Sequence, residues 1–369
     1  MLFCYITRNR KEQIAFFSSF CGTQYSDSPR AVSELLHKLK PSLKIVWLGE
    51  TDIQKDLPQY VIFVKNNSLK ALVFQAISSV WVLNVAYTKS SFYYKGLKIL
   101  YIQTWHGDRA FKKIGWSAFK AMEDNYSHKS CLPYLNDCNY VTVGSKYGEM
   151  QAREGLNYMG ELLKNGLPRN DKLFCPNRYQ DYINSVKEKL NIPQGVKILL
   201  YAPTFRDYNK NNFSSLIDIQ SCIDKLSEDG SKWIAIIRAH FGSKIIFEEK
   251  SDIIDVSSYG DMADLLLIAD CLISDYSSCA GDFILTKRPC ILAIFDQAEY
   301  ENHSRSLWIT PKEAGFIVAN NQEELNSILS HLSNYDFESI SNAIIKKYGS
   351  YDRDDSTMQV CNKIIEWLQ

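Results

Sequence analysis

Short apolar runs alternate with amphipathic stretches along almost the whole chain, and this alternation limits the fold more than any other feature of the sequence. Runs such as Ile99–Gln103, Lys197–Tyr201 and Cys271–Ser274 have the length of strands and little alternation of polar and apolar residues. Strands that are apolar on both faces are typical of parallel sheets covered by helices on both sides. The sequence therefore predicts an α/β protein built from doubly wound parallel sheets.

The same arrangement recurs in both halves of the chain. Further strands are predicted at Ile14–Phe17, Lys44–Leu48, Tyr60–Val64, Val80–Val85, Tyr140–Val143, Gly160–Lys164, Trp233–Arg238, Ile253–Val256 and Cys290–Ala293. Helical patterns lie between them, at Pro29–Leu39, Leu69–Ser78, Ser214–Ser227, Met262–Ile268, Ser278–Thr286, Glu323–Leu332 and Thr357–Trp367.

A chain of 369 residues is too long for one ordinary core, so we expect two domains. The seam is predicted in Pro168–Gly195, a stretch that contains three prolines and a glycine. We place the domains at residues 1–175 and 176–350, with residues 351–369 as a helix that closes the chain. Ligands are expected in the cleft between the two domains.

Composition excludes several classes of protein. Lysine plus arginine and aspartate plus glutamate each total 42, so the charge gives no reason to expect nucleic acid as a partner. The ten cysteines include no C-x-x-C pair and no zinc-like spacing, which we interpret as reduced thiols of a cytosolic protein without a metal site. The first residues lack the form of a signal peptide. Residues 71–88 carry no formal charge but include several polar side chains, so no transmembrane segment is predicted.

The segment Gln103–Gly107, QTWHG, contains the clearest candidate for chemistry. His106 follows a buried strand, and open α/β sheets bind their ligands at the carboxyl ends of such strands. Histidine is also the side chain best suited to proton transfer near neutral pH. On this motif alone, a structural histidine beside a glycine turn explains the pattern equally well.

Three polar segments follow strands of the second half, at Ala202–Asp207, Arg238–His240 and Ser274–Ser278. The two serines of the last segment open a predicted helix, whose unpaired N–H groups suit a phosphate. The arginine and histidine of the middle segment would add cationic donors to the same anion. A plain helix cap and a surface ion pair are the structural alternatives. Together with His106, these segments predict a phosphate site in the cleft.

Several familiar signatures are absent, among them G-x-G-x-x-G, Walker A and G-x-S-x-G. Asp352 and Asp354 form a D-x-D, which we interpret as a helix cap and turn rather than a metal site. Residues 108–122 indicate an amphipathic helix with Phe111 and Ala118 on one face. Packing on its own domain is the simpler role for that helix, and docking on an anionic membrane surface is the alternative.

With these segments in view, the chain resembles the CDP-glycerol glycerophosphotransferases of teichoic acid and capsule synthesis. The resemblance covers nearly the whole chain, and the shared segments occur in the family's order. They are residues 17–30, QTWHG (103–107), GLPRND (166–171), YAPTFRD (201–207), RAH (238–240), DYSSCAGDF (275–283), KRP (287–289) and the loop 296–308. Long polymerases of the family carry an extra N-terminal domain, and this chain is similar in size to the catalytic unit alone.

The resemblance implies a GT-B-like fold: two Rossmann-like doubly wound parallel-sheet domains, an interdomain cleft, and a C-terminal helix that returns to the first domain. CDP-glycerol or a related CDP-polyol would bind mainly to the second domain, and a lipid-linked or glycan acceptor to the first. The resemblance also implies a peripheral position on the cytoplasmic face of the cell membrane, with residues 108–122 and Phe92–Tyr94 as candidate contacts. No cofactor and no metal are expected.

In the reaction implied by the resemblance, the acceptor hydroxyl attacks the phosphorus that bears glycerol, and CMP leaves. His106 would be the general base on that hydroxyl, with an effect of about 10²–10⁴-fold. The other expected site residues are His240 as a second catalytic residue, Arg238, Ser277, Ser278 and Arg305 at the pyrophosphate, Asp275 at the substrate, Thr204 and Arg206 on the nucleotide side, and Asp27 and Arg30 at the acceptor mouth.

The sequence departs from the family's usual pattern in three places. Asp108 and Arg109 stand where Thr-Pro is usual, Phe241 replaces a proline, and the loop around Arg305 lacks the usual Arg-Gly-aromatic form. These differences keep CDP-ribitol or another CDP-polyol open as the donor. A GT-B glycosyltransferase that uses a nucleotide sugar and a non-catalytic nucleotide-binding scaffold are the remaining alternatives.

Overall fold

The computed structural model describes residues 13–86, 98–121, 132–135, 137–204, 206, 213–214, 216–239, 245–246, 251–304 and 306–369. Within these ranges the chain forms two large parallel sheets and one two-stranded pair. No helix in the described part of the chain is long and apolar enough to span a bilayer. The eight cysteines in these ranges are free thiols.

The first sheet has seven parallel strands among the described residues, in the order β3-β2-β1-β4-β5-β6-β7. Both of its faces are apolar: Phe16 and Trp81 lie in one core, and Phe17 and Trp47 lie in the other. This two-sided burial is the reason that the apolar runs were recognisable as strands. The strands are β1 Ile14–Ser18, β2 Lys44–Gly49, β3 Val61–Lys65, β4 Val80–Leu83, β5 Leu100–Gln103, β6 Tyr140–Thr142 and β7 Glu161–Leu163.

The second sheet has six parallel strands among the described residues, in the order β12-β10-β8-β13-β14-β15, and β9 pairs with β11 beside it. The edge strand β15 and the short pair β9 and β11 were not predicted. The strands β9 and β11 have only two residues each, too few to give a periodic signal. The strands are β8 Lys197–Tyr201, β9 Phe213–Ser214, β10 Trp233–Ile237, β11 Ile245–Ile246, β12 Ile253–Asp255, β13 Cys271–Ser274, β14 Cys290–Ala293 and β15 Ile317–Ala319.

Helices cover both faces of the two sheets. Those of the first half are α1 Asp27–Leu39, α2 Leu69–Ile77, α3 Gly115–Ala121 and α4 Lys146–Glu154. Those that follow are α5 Asp171–Phe174, α6 Gln180–Lys189, α7 Ile219–Leu226, α8 Met262–Ile268, α9 Cys279–Phe283, α10 Gln297–His303, α11 Pro311–Ala314, α12 Gln322–Ser330, α13 Phe337–Tyr348 and α14 Ser356–Trp367. Short 3₁₀ turns lie at Phe20–Gly22, Thr51–Asp56, Pro168–Asn170, Pro176–Tyr179, Ile284–Thr286 and Leu332–Asn334.

The last helix, α14, packs on α1 of the first domain. Val360 and Ile364 share a core with Val32 and Leu36. The start of α14 is held by Asp171. Its two carboxylate oxygens accept hydrogen bonds from the backbone N–H groups of Ser356 and Thr357, at 3.0 and 2.9 Å. The end of the chain thus contributes to the core under the first sheet. The domain boundaries at residues 175 and 350 stay predictions.

The amphipathic helix predicted over residues 108–122 is wrong in its first half. Arg109 and Gly115 have φ of 55° and 48°, so the chain cannot run as one helix through both, and α3 begins only at Gly115. Phe111 instead packs edge-on against Phe316 of the second domain, with ring centroids 5.4 Å apart. The apolar spacing that suggested a helix face therefore belongs to two structures, a domain contact and a short helix.

Candidate active site

The candidate site lies where loops from the carboxyl edges of the two sheets meet. Because all strands within each sheet are parallel, the residues that follow β4, β5, β8 and β13 leave their sheets at such an edge. Gly107 of the first domain and Ser278 of the second lie in contact: a Cβ on Gly107 would be 3.3 Å from Ser278 Oγ. The turn that carries His106 therefore lies beside the start of α9.

His106 is held by a backbone carbonyl and by aromatic rings. Its Nδ1 lies 2.8 Å from the carbonyl oxygen of Asn84. Since a carbonyl oxygen only accepts, the ring hydrogen is on Nδ1, and a neutral imidazole then carries its lone pair on Nε2. The ring centroid lies 5.5 Å from that of Phe20 and 4.3 Å from that of Trp105. This arrangement fixes both the tautomer and the orientation of a potential base.

Asn84 connects the two loops that surround His106. Its side-chain Oδ1 accepts a hydrogen bond from the Phe20 N–H at 2.8 Å. Its backbone carbonyl oxygen accepts the hydrogen bond from His106 Nδ1. Phe20, Cys21 and Trp105 have φ of 46°, 55° and 50°. Such left-handed conformations cost about 1–3 kcal/mol each and are concentrated at functional sites. Asn84 was missed because the strand predicted at Val80–Val85 included it, whereas β4 ends at Leu83.

Asp275 and Arg206 brace the loops that follow β13 and β8. Asp275 accepts from the backbone N–H groups of Thr204 at 2.9 Å and Tyr276 at 2.6 Å. Arg206 pairs with Asp275 at 2.8 Å and with Asp296 at 2.7 Å. Burial disfavours the charge on Arg206, but the two carboxylates outweigh burial and raise its pKa. The carboxylate of Asp275 and the guanidinium of Arg206, both predicted to contact the substrate, are therefore bound to groups of the protein itself.

Three hydroxyl groups lie at the ends of the same strands. Thr204 Oγ1 is buried and has no hydrogen-bond partner among the described residues. Ser277 Oγ accepts a long hydrogen bond from Cys279 N, at 3.4 Å. Ser278 is the N-cap residue of α9, yet its side chain makes no capping bond. Helix capping therefore does not explain the hydroxyl of Ser278.

Arg238 binds the backbone of a neighbouring loop. Its guanidinium donates to the carbonyl oxygens of Ser257 and Tyr259. Burial lowers its pKa, and Asp261 and Asp255 oppose that shift. Among the described residues, the guanidinium of Arg238 is thus held by backbone carbonyl oxygens rather than by a salt bridge.

Asp27 and Arg30 lie in the first turn of α1, where that helix meets the second domain. Arg30 pairs with Asp261 at 3.2 Å and with Asp264 at 3.0 Å. The Asp27 carboxylate lies 3.7 Å from a guanidinium nitrogen of Arg169. Burial raises the pKa of Asp27, and Arg169 opposes the shift. Asp261 of the second domain accepts from the Asp27 backbone N–H at 3.2 Å, so the structure places both predicted acceptor residues in contacts between the domains.

Three further predictions lie outside the described residues: His240, Arg305 and the aromatic stretch Phe92–Tyr94. Their roles stay predictions. In the ranges that the structure describes, no group of three or more His, Cys, Asp or Glu side chains is arranged to hold a metal ion.

The D-x-D pair does not cap a helix, so that prediction was wrong. Asp352 pairs with Arg109, and Asp354 pairs with Arg178. The residue that precedes α14 is Asp355. Both carboxylates of the D-x-D are thus bound to arginines, and the turn at 354–355 is the part of the prediction that the structure confirms.

A buried network beside the site was also missed. Asp282 of α9 accepts from Arg109, Arg169 and Asn170, each at 3.0 Å. Burial opposes ionisation of Asp282, but Arg169 and Arg109 outweigh it and lower its pKa. These residues lie far apart in the sequence, and only the GLPRND and DYSSCAGDF segments gave a hint of them.

The comparisons with known proteins agree on one family and fold. The family described as CDP-Glycerol:Poly(glycerophosphate) glycerophosphotransferase matches residues 1–366. A teichoic acid glycerol-phosphate transferase of Staphylococcus aureus (strain NCTC 8325 / PS 47) is 28% identical, over 96% of this chain and 93% of that protein. The teichoic acid ribitol-phosphate polymerase TarK of the same strain is 27% identical, over 64% of this chain and 46% of that protein. The solved wall teichoic acid polymerase TagF has a TM-score of 0.82 at 25% identity, over 99% of this chain and 92% of that one. The predicted fold, with two Rossmann-like parallel-sheet domains, is confirmed.

Proposed function

The chain belongs to the CDP-glycerol:poly(glycerophosphate) glycerophosphotransferase family, and on that premise we propose that it transfers glycerol phosphate from CDP-glycerol to a hydroxyl of a teichoic-acid-like acceptor. A P–O bond forms to the acceptor oxygen, the P–O bond to CMP breaks, and the acceptor proton passes to a base. Phosphoryl transfer of this kind depends mainly on positioning and on stabilisation of charge.

The proposal depends most on the geometry of His106. Its Nδ1 is bonded to the Asn84 carbonyl oxygen, so Nε2 is the basic atom of the neutral ring. The adjacent Gly107 touches Ser278, at the start of the helix predicted to hold the donor phosphate. A base on one domain and hydroxyl donors on the other are the parts that transfer between two substrates requires.

On the donor side, we assign direct contact with the pyrophosphate to Ser277, Ser278 and Arg238. Thr204, whose buried hydroxyl has no partner among the described residues, is assigned to the nucleotide. Buried hydroxyls without partners are uncommon, and a ligand that supplies the missing bond explains one. These assignments are supported by position: all four residues lie at the ends of β8, β10 and β13, which are neighbouring strands of the second sheet.

Asp275 and Arg206 hold these groups in place rather than bind substrate in this proposal. Asp275 fixes the backbone of Thr204. The guanidinium carbon of Arg206 lies 5.3 and 4.9 Å from the ring centroids of Tyr276 and Tyr300, which stack on each other. His240 keeps the role of a second catalytic residue, and Arg305 the role at the pyrophosphate, that the family resemblance implies.

On the acceptor side, we propose a lipid-linked polymer end and a peripheral position at the inner face of the cell membrane. The surface that supports this is the exposed face of α2. Leu69, Leu72 and Val73 are 82%, 53% and 36% exposed. Residues 61–77 include Lys65 and Lys70 but no Asp or Glu. Apolar side chains next to lysines fit an anionic lipid surface.

The position of α2 also fits this role. The helix follows the carboxyl end of β3, on the same edge of the sheet from which His106 projects. A membrane bound there would present a lipid-linked hydroxyl toward the site.

The direct test is CMP release from purified protein with CDP-glycerol, with CDP-ribitol in parallel, with and without polymer acceptors. We expect CMP from CDP-glycerol only when acceptor is present. CMP from CDP-ribitol alone would keep the mechanism and change the donor, as the likeness to a ribitol-phosphate polymerase allows. No CMP from either donor, despite nucleotide binding, would favour a non-catalytic protein.

The membrane surface is tested by sedimentation with phosphatidylglycerol vesicles. Leu69→Ser combined with Leu72→Ser should lower binding by about tenfold or more, since each buried apolar side chain contributes about 1–2 kcal/mol. The matched control is Met159→Ser, which removes another exposed apolar side chain, 76% exposed. Equal binding by the double variant and the control would reject α2 as the membrane contact.

A further inference from the structure

Asp282 lies at a junction of three chain segments that are distant in sequence. Its Oδ1 accepts from Arg109 in the loop that follows His106 and from Asn170 in the connection between the domains. Its Oδ2 accepts from Arg169 Nε at 3.0 Å. Asp282 itself belongs to α9, four residues after Ser278. One carboxylate thus links the loop of the proposed base with the helix of the proposed phosphate donors.

The helix α9 lies along residues 107–109 over its whole length. At its start, Ser278 touches Gly107. One turn later, a Cβ on Gly281 would lie only 2.7 Å from the Cβ of Arg109, so only glycine allows this approach. The next residue, Asp282, binds the Arg109 guanidinium. The His106 loop and α9 are therefore aligned at three successive points.

This junction is buried. Arg109 and Asn170 are fully buried, and Arg169 and Asp282 are 6% exposed. Buried charged groups with several hydrogen bonds tolerate little displacement, because any movement leaves a charge without its partner. The junction therefore holds α9 at one distance from the His106 loop.

We propose that Asp282 is a positioning residue that sets the separation between His106 and the phosphate held by Ser277 and Ser278. The inference deepens the proposed function and depends on it. Asp282 contacts neither substrate; it acts through Arg109 on one side and through α9 on the other. Displacement of reacting groups by about 1 Å costs on the order of 100-fold in rate, so losing this ion pair should slow the chemical step.

The test is Asp282→Asn, which keeps the shape of the side chain and removes its charge. We expect kcat for CMP release to fall by about 10- to 100-fold, with the KM for CDP-glycerol within about threefold of the parent value. The control is Asp171→Asn, the same change at another buried carboxylate, which binds the start of α14 and not α9. Its kcat should stay within about twofold of the parent.

Hydrogen exchange separates failure of this inference from failure of the proposed function. Asp282→Asn should speed exchange in residues 107–111 and 278–284, whereas Asp171→Asn should not. A parent protein that releases no CMP would refute the function, and the exchange result would still decide the inference. Unchanged kcat in Asp282→Asn would overturn it. So would equal losses in the two variants, or unchanged exchange in both segments.

Discussion

At the scale of single residues, a hydrogen bond to a backbone oxygen helps to orient His106. That oxygen is the carbonyl oxygen of Asn84, which follows β4. Because β4 pairs with β5, the strand that precedes His106, the sheet itself positions the proposed base. His331 offers a comparison: its Nδ1 also bonds a backbone oxygen, that of Ser327 at 2.9 Å, on an exposed helix end. The same local bond thus occurs at a proposed base and at a surface residue.

We predict that His106→Ala lowers kcat for CMP release by about 10²–10⁴-fold and leaves CDP-glycerol binding within a few-fold, because only the base is lost. Turnover assays and calorimetric binding measure the two effects. His331→Ala is the control and should match the parent in both. Wild-type turnover by His106→Ala would remove this residue from the mechanism.

Sequence patterns predicted His106, Ser277 and Ser278 as site residues because chemistry at strand ends has a local signature. The same reasoning missed Asn84 and Asp282. Asp282 and Arg109 are 173 positions apart in the sequence. A pairing over such a distance leaves no trace in local spacing, and the role of Asn84 lies partly in its backbone.

At the scale of elements, the continuous apolar runs gave the central strands within two residues, whereas helix ends and short edge strands were less well predicted. The segment 108–122 shows why. Apolar residues at helical spacing arise equally from a helix and from a loop that packs between domains, and two positive φ values decided for the loop.

Within α9, we predict that Gly281→Ala destabilises the protein by about 1–3 kcal/mol, because overpacking against Arg109 outweighs the helix propensity gained. It should also reduce CMP release. Gly260→Ala is the control, since a Cβ there meets nothing within 4 Å and φ is not in the left-handed region. Chemical denaturation measures the stability of the two variants, and equal stability would contradict the prediction.

The attachment of α14 should depend on pH through Asp171. Burial raises its pKa to about 6, against hydrogen bonds from Thr357 and Ser356 that lower it. Between about pH 4 and 6 the folded chain therefore binds more protons than the unfolded chain, so this contribution to stability falls as pH rises and is level above about 6. The total change is at most about 3 kcal/mol.

Denaturant unfolding across this pH range should show that slope in the parent and not in Asp171→Asn. Asp336→Asn gives the opposite control. Asp336 caps α13, and hydrogen bonds from Ser339 lower its pKa, so its contribution is lost as pH falls. Identical pH profiles for the parent and Asp171→Asn would disprove the assignment.

At the scale of the whole molecule, two groups of ion pairs join the domains. One surrounds Asp282, and the other consists of Arg30 with Asp261 and Asp264. The two parallel sheets were predictable from the sequence because each is a local repetition of strand and helix. The relative placement of the domains was not, since it depends on these distant pairings.

We predict that Arg30→Met lowers the free energy of unfolding by about 3 kcal/mol, because it removes the guanidinium that pairs with the buried Asp261 and Asp264, while Lys172 still pairs with Asp264. Scanning calorimetry should then show separate transitions for the two domains. The control Arg353→Met breaks a pair with Asp355 whose arginine side chain is 52% exposed, and should cost less than about 1 kcal/mol. Equal losses would mean that the Arg30 pairs do not join the domains.

The alignment of α9 with residues 107–109 also governs how such enzymes can be recombined. A hybrid cut near residue 175 takes its first half from one relative and Gly281 and Asp282 from another. A first half with Thr-Pro in place of Asp108 and Arg109 would leave Asp282 facing a proline, with no cation from that side. We therefore expect a hybrid to keep the alignment of the two domains at this point only when the loop after the histidine and α9 come from the same relative.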